Sequence, residues 1–302
     1  VAQNLMLEHF RRKKTFKEKI TPELGARTQH IEQIEITDKI IEDSQLHMMF
    51  VLCDNELNKE SQICIALRIL CGFSIEEIAK AFLSNKETIN KRLYRAKKAI
   101  KERNQVETNL TLNQYVSRLD NVLRVIYLIF NEGYYSSVNE DNIRHEICWE
   151  AMRLSIFLSE HKIFPKQKIH ALIALMCFHT SRLDARISGE KGDLLYNEQD
   201  KSKWNSALIQ KGKKYLKLSA AGDIVSKYHL EAAIAYWHTK DNNGKWKNIL
   251  QLYNKLLTIE YSPIIAMNRT YALARANSIV EAIQEAHKLE LKNNHYYFCL
   301  LA

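Results

Sequence analysis

From Gln62 to Cys71 the apolar residues Ile63, Ala66, Leu67 and Leu70 recur at the spacing of one helix face, and Gly72 follows where a glycine commonly closes a helix. Ser74-Ile75-Glu76-Glu77 then forms a capping box that opens a second helix, with Ile78, Ala79 and Phe82 on its inner side. Ser84-Asn85-Lys86-Glu87 repeats that signature ten residues later. Two helix starts this close, separated by Leu83-Ser84-Asn85, leave room only for a helix, a tight turn and another helix. On the third helix Ile89, Leu93, Ala96 and Ile100 share a narrow arc that must pack inward, while Glu87, Lys91, Tyr94, Arg95 and Lys98, flanked by Thr88, lie on the opposite arc. One apolar face and one basic, hydrogen-bonding face is what a DNA major groove accepts from a helix.

The remaining pattern is also helical. Leu110–Asn131, Arg144–Glu160 and Lys166–Arg186 each read as an amphipathic or buried helix, and Leu230–Thr239, Trp246–Thr258, Pro263–Ala274 and Val280–Leu289 as four more in alternation. Within the last group Leu230/Ile264, Ala232/Ala266 and Trp237/Tyr271 recur at a 34-residue period, that of tetratricopeptide helix pairs. Three prolines and eight glycines in 302 residues are too few for a sheet protein rich in tight turns, so the expected class is all-α.

Charge changes the picture more than composition does. The formal balance is +9, but His9–Lys19 carries +5 and Ser84–Arg103 carries +6, leaving the rest of the chain slightly acidic. Two short basic segments on a near-neutral body form the electrostatic footprint of a phosphate-backbone binder. No apolar run reaches the length of a membrane span and the start has no signal-peptide pattern, so the expectation is a cytoplasmic protein without a membrane partner. The six cysteines form no C-x-x-C pair and no zinc-like spacing with histidine, which predicts reduced, mostly buried thiols, no metal and no cofactor. The chain begins at Val1 and stops at Ala302 within an apolar helical pattern, which reads as a piece of a longer protein.

Residues Ala79 to Lys97, with Leu67-Arg68-Ile-Leu-Cys-Gly72-Phe-Ser74-Ile-Glu-Glu77-Ile-Ala79 before them, resemble region 4 of bacterial sigma factors of the extracytoplasmic-function type. The opening Val1 to Lys13 is similar to the end of region 2. Tyr127-Leu-Ile-Phe-Asn131-Glu132-Gly133-Tyr134, Glu198-Gln199-Asp200-Lys-Ser-Lys-Trp204, Ala232-Ala233-Ile234-Ala235 and Ser262-Pro263 with Asn268-Arg269 resemble the subgroup carrying a helical, tetratricopeptide-like extension. The resemblance implies four segments: 1–20, the end of region 2; 21–42, a linker; 43–104, region 4; and 105–302, the extension. It implies a non-enzymatic role with promoter DNA and RNA polymerase core enzyme as partners, region 4 reading the −35 element, and an intramolecular contact between extension and region 4. A chain with almost no region 2 is expected to bind core polymerase poorly.

On the exposed arc, Lys91 and Arg95 are candidates for guanine, Glu87 for cytosine, and Thr88 for a thymine methyl or a phosphate. Lys86, Arg92, Tyr94 and Lys98 are candidates for phosphates. Asn131, Glu132, Tyr134 and Tyr135, at a helix end closed by Gly133, offer a carboxylate and phenols for acid–base chemistry, but no nucleophile, second carboxylate or metal spacing accompanies them. His170 and His179 do not share one face, and Trp204, Tyr236, Trp237, Trp246 and Tyr253 read as core aromatics. Acids between Glu140 and Glu150 are candidates to cover the basic helix when DNA is absent. Two other classes stay open: a one-component regulator with a tetratricopeptide sensor, which would recognise a promoter without core enzyme, and a peptide-binding scaffold, which would show no salt-dependent DNA affinity.

Overall fold

A computed structural model describes residues 43–53, 57–82, 84–102, 109–135, 141–187, 194–242, 244–289, 291 and 295–301. The readings placed on 1–42, Leu83, Arg103–Asn104 and Glu140 fall outside them. Among the described residues the regular structure is entirely helical. The chain divides into two compact units whose boundary falls between Glu132 and Gly133, inside one long helix.

The first unit contains α1 (Ser44–Leu52), α2 (Lys59–Ile69), α3 (Ile75–Ala81), α4 (Lys86–Glu102) and most of α5 (Leu112–Tyr135). Each helix start has a local cause. Asp43 accepts the Leu46 N–H at 2.9 Å and Asn58 the Glu60 N–H at 2.9 Å, satisfying donors that have no partner inside the helix. Gly72 sits at φ 67°, the left-handed turn that ends α2, and the Phe73 N–H returns to the Leu67 carbonyl at 3.1 Å. The Ser74/Glu77 capping box forms as read. The second one does not: Asn85, not Ser84, caps α4, accepting the Thr88 N–H at 2.8 Å. Both residues have cap chemistry, and the Ser84 N–H is already committed to the Ala79 carbonyl in the turn.

Ile63, Ala66, Leu67, Ile78, Ile89 and Ala96 are fully or almost fully buried, as the periodicity requires, whereas Leu70 and Ile100 are half-buried; Cys64 and Ile65, off the predicted face of α2, are buried as well, so that helix is enclosed and not amphipathic. α4 packs against α2 and α3 through that stripe. α5 is tied to the same core by buried polar links. Arg118 donates to the Phe50 carbonyl at 3.0 Å, and Asn121 Nδ2 donates to Gln62 Oε1 at 2.6 Å. Gln62 Nε2 in turn donates to the Leu57 carbonyl at 2.6 Å. Tyr115 stacks edge-on against Phe50, with ring centroids 5.1 Å apart.

The second unit continues through α6 (Asp141–Glu160) from Arg144 on, α7 (Lys166–Thr180), α8 (Leu183–Ile187), α9 (Ser206–Ser219), α10 (Lys227–His238), α11 (Lys245–Ile259), α12 (Pro263–Ala276), α13 (Ile279–His287) and α14 (His295–Leu301), with a 3-10 turn at Lys201–Lys203. α7 is its centre, buried from Ala171 to Phe178. α9 approaches α7 closely because Gly212 has no side chain: a Cβ there would lie 2.7 Å from Cε1 of Phe178. α10 to α13 pack each against the next, and Leu230, Ile249, Leu256 and Ala272 share one core.

Three sequence expectations are corrected here. Gly133 does not end a helix; α5 runs on to Tyr135, and Gly133 is not among the glycines with positive φ, so the stop signal was read without the backbone turn it needs. Lys166–Arg186 is not one helix. It breaks after Thr180, where the Ser181 hydroxyl turns back to donate to the Phe178 carbonyl at 2.7 Å and α8 restarts at Leu183. The 34-residue pairing holds for Ala232 and Ala266, both buried, but not for Leu230 and Ile264, of which the first is buried and the second exposed, nor for Trp237 and Tyr271, the first half-buried and the second exposed. Ile264 directly follows Pro263 in the first turn of α12, where a side chain has little to pack against.

Candidate nucleic-acid interface

α4 is 17 residues long, and its inner stripe of Ile89, Leu93 and Ala96 is held against α2 and α3. Geometry alone therefore turns the opposite arc outward. Glu87, Lys91, Arg95 and Lys98 are exposed, and Tyr94 shows 70% of its surface to solvent. An exposed tyrosine among cations has no packing role within its own unit, and its phenol suits a phosphate or sugar contact. Thr88 is half-buried at the edge of the face. The face is wider than the sequence arc, because Asn90 and Lys101 are exposed as well. Asn90 could have been found from its position next to Lys91 near the amino-terminal end, the part of a recognition helix that faces base edges.

Not every basic residue of the set is equally available. Lys86 forms an ion pair with Glu76 at 2.6 Å, and that ammonium holds the Glu76 carboxyl below its usual range. Both side chains are largely exposed, so phosphate can displace this pair at little cost. Lys98 lies 3.7 Å from Glu102 one turn on, an equally open contact. Arg92 is different. Its guanidinium pairs with Glu60 on α2 and lies over the Phe82 ring, 5.5 Å from the centroid. Arg124 of α5 lies over the same ring at 5.9 Å. The side chain of Arg92 is only 21% exposed, which makes it a brace between α4, α2 and the turn after α3. Its partner Glu60 stands at the amino-terminal turn of α2, where a carboxylate also suits the helix dipole.

The residues considered for acid–base chemistry do not assemble a site. Tyr134 is buried, and Arg186 lies over the rings of Tyr134 and Tyr135 at 4.6 and 4.7 Å. His179 stacks edge-on against Tyr134, and burial followed by the charge of Arg182 keeps it neutral far below the usual histidine range. Glu150 is held by Arg153 through two bonds of 2.8 and 2.9 Å, which commits one of the acids considered as a cover for α4. No group of three or more His, Cys, Asp or Glu among the described residues is arranged to hold a metal. Burial pushes the Cys53 and Cys177 thiols up to about 12 and the Cys64 thiol up to about 11, so these are inert core residues.

Comparison with known proteins agrees with this geometry. Residues 47–100 match the family Sigma-70, region 4, a segment that begins within α1 and ends in the last turn of α4. The match supports a sigma-factor family, a non-enzymatic group of transcription factors that work with RNA polymerase and promoter DNA. Residues 118–220 match a family of unknown function (DUF6596), which begins within α5 and ends after α9. The chain is also 29% identical over 261 residues to an uncharacterized protein of Rhizobium meliloti, an alignment that covers 85% of this chain and 61% of that protein. The chain thus spans about three fifths of the relative's length. No solved structure matches. Among the described residues no helix is long and apolar enough to cross a membrane.

Proposed function

We propose that this chain belongs to a sigma factor of the extracytoplasmic-function type, whose α4 reads the promoter −35 element while a helical extension follows it. The observation that carries the reading is the outward basic face of α4 inside a segment matching sigma region 4. Lys91 and Arg95, both exposed on that face, take base edges, with Glu87, Thr88 and Asn90 beside them. Lys86, Tyr94 and Lys98 hold phosphates, and Arg92 contributes by fixing the helix. In this scheme residues 1–20 end region 2, 21–42 link, 43–104 form region 4, and 105–302 form the extension, whose first helix α5 buttresses region 4 through Arg118 and Asn121. The stacked pairs α10–α11 and α12–α13 support a tetratricopeptide-like extension, since α11 and α13 begin 34 residues apart at Lys245 and Ile279. Core polymerase is the second partner and the cytoplasm the compartment.

The test is duplex binding by the full chain, with the preferred sequence first selected from a random pool. Arg95→Ala and Lys91→Ala should each cost about 1–3 kcal/mol on the selected duplex and relax its base preference, whereas Lys98→Ala should weaken selected and random duplexes alike. Equal losses on both duplexes for all three variants would refute the assignment of this face.

A further inference from the structure

Within the second unit a cavity of about 470 Å³ opens between the Tyr196–Lys201 segment, the start of α11 and the end of α12. That volume is in the range of small-molecule sites. Its charge is unbalanced. Lys201 pairs with Asp241 at 2.9 Å, so those two walls cancel. Lys245 and Arg275 also line the cavity, and among the described residues neither has a carboxylate within ion-pair distance.

Lys245 is the unusual member, because it is only 8% exposed. Buried ammonium groups are nearly always paired with an opposite charge, since desolvating one without compensation is costly. Here Nζ donates to the Tyr196 hydroxyl at 3.1 Å and to the Lys240 carbonyl at 3.2 Å, and rests over the Tyr196 and Trp246 rings at 5.1 and 5.7 Å. Both acceptors are neutral, and an ammonium has three N–H donors. The arrangement is braced from behind: the Tyr196 hydroxyl donates to the His238 carbonyl at 2.6 Å, which fixes the phenol that receives Lys245. Arg275 lies over the other ring of the wall, 5.4 Å from the Trp246 centroid.

Two further observations point the same way. Lys245 and Trp246 are the first residues of α11, a 15-residue helix whose cap, Gly244, supplies no side-chain acceptor; the Lys245 N–H turns back to the Asn242 carbonyl at 3.3 Å, and the positive end of the helix dipole lies at the cavity wall. His238, packed edge-on against Tyr196 and Trp246 at 5.0 and 5.6 Å, is kept neutral down to about 3 by burial and then by the charges of Arg182 and Lys245. The surroundings therefore hold a net positive field. Asn197 and Asn242 add neutral amide donors at the rim.

We propose that this cavity binds a small oxyanion, a carboxylate or phosphate group, held between Lys245, Arg275 and the amino-terminal end of α11. The motif around Gln199 and Trp204, which the DNA reading leaves unused, then has a role: it carries Tyr196 and Lys201 into the wall. The proposal is independent of the DNA reading, and either can fail alone.

The test is calorimetric titration of the full chain with sodium phosphate and with sodium citrate, against sodium chloride at matched ionic strength. One saturable site above the chloride background is expected for at least one of the two, and whichever binds tighter identifies phosphate or carboxylate as the preferred group. Because the basic face of α4 also attracts phosphate, the variants locate the site. Lys245→Met and Arg275→Gln should each weaken binding by roughly tenfold or more, the worth of one charge-assisted hydrogen bond. Lys255→Gln removes the same charge from an exposed position farther along α11 and should leave it unchanged. If Lys245→Met does not fold, Arg275→Gln, at an exposed position, decides the matter. No saturable binding above chloride, or wild-type affinity in Arg275→Gln, would overturn the proposal.

Discussion

Asn121→Leu tests whether α5 belongs to the core of the first unit or merely follows it. Asn121 and Gln62 are 8% and 1% exposed, and the bond between their side chains joins residues 59 positions apart at 2.6 Å. Leucine shares the branched skeleton of asparagine and is somewhat larger, so no cavity forms, but Gln62 Oε1 is left buried without its donor. An orphaned buried acceptor costs about 1–3 kcal/mol. Gln62→Met costs more, because it strands both the Asn121 amide and the Leu57 carbonyl that Gln62 caps. In the double variant only the Leu57 carbonyl remains unpaired, so the double loss should fall short of the sum of the single losses by about 2 kcal/mol or more, the cost of the two orphans it avoids. With two compact units in one chain a global transition would mix their stabilities, so the suitable assay is amide hydrogen exchange read by mass spectrometry. Peptides from α2 should exchange about 5- to 150-fold faster in Asn121→Leu, with α7 peptides unchanged as an internal reference. Wild-type exchange in α2, or strict additivity in the cycle, would refute the view that α5 completes this unit.

Other expectations follow from the second unit and the thiols. Gly212→Ala should destabilise by about 1–2 kcal/mol in chemical unfolding, because overpacking against the buried Phe178 ring outweighs the roughly 1 kcal/mol of helix propensity gained; a stabilised variant would contradict the close approach of α9 to α7. His238 has its folded pKa pushed down to about 3 from 6.5, so the folded chain binds fewer protons than the unfolded one between those values, and the stability present above pH 6.5 is lost as pH falls. Between pH 6.5 and 5 the loss should reach about 2 kcal/mol, with His179 acting in the same direction, and His238→Phe should remove the His238 share; an unchanged pH slope in that variant would show that His238 is not buried as described. A thiol reagent applied to the native chain should label Cys299 at once and Cys71 more slowly, leaving Cys53, Cys64, Cys148 and Cys177 until unfolding; early labelling of Cys177 would contradict the α7 core.

The helices α2 to α4 were legible because three independent signals coincide over Gln62–Glu102: helical spacing of apolar residues, a capping box and a one-sided charge. Where signals were ambiguous the reading slipped. Ser84 and Asn85 are both good caps, and only the three-dimensional turn chooses between them. Gly133 carries a stop signal in one dimension but sits in a continuing helix whose neighbours outweigh its poor propensity. The bond between Asn121 and Gln62 is polar and long-range, so no hydrophobic pattern announces it. The structural role of Arg92 was hidden for the same reason, since its partner Glu60 lies a helix away. The cavity was the least legible feature. Its cations come from positions 201, 245 and 275, each an ordinary surface charge in sequence, and Trp246 read as a core aromatic because most of it is one.

The central claim, that the outward face of α4 lies against duplex DNA, is tested most directly by site-specific photocrosslinking. A photoreactive phenylalanine derivative is placed at Tyr94, 70% exposed on that face, or at Ile69, 37% exposed at the end of α2, and each chain is irradiated with the selected duplex. The account expects a covalent adduct from position 94 that disappears as salt is raised, and none from position 69. Crosslinking from position 69 with none from position 94 would place the DNA elsewhere and contradict the account.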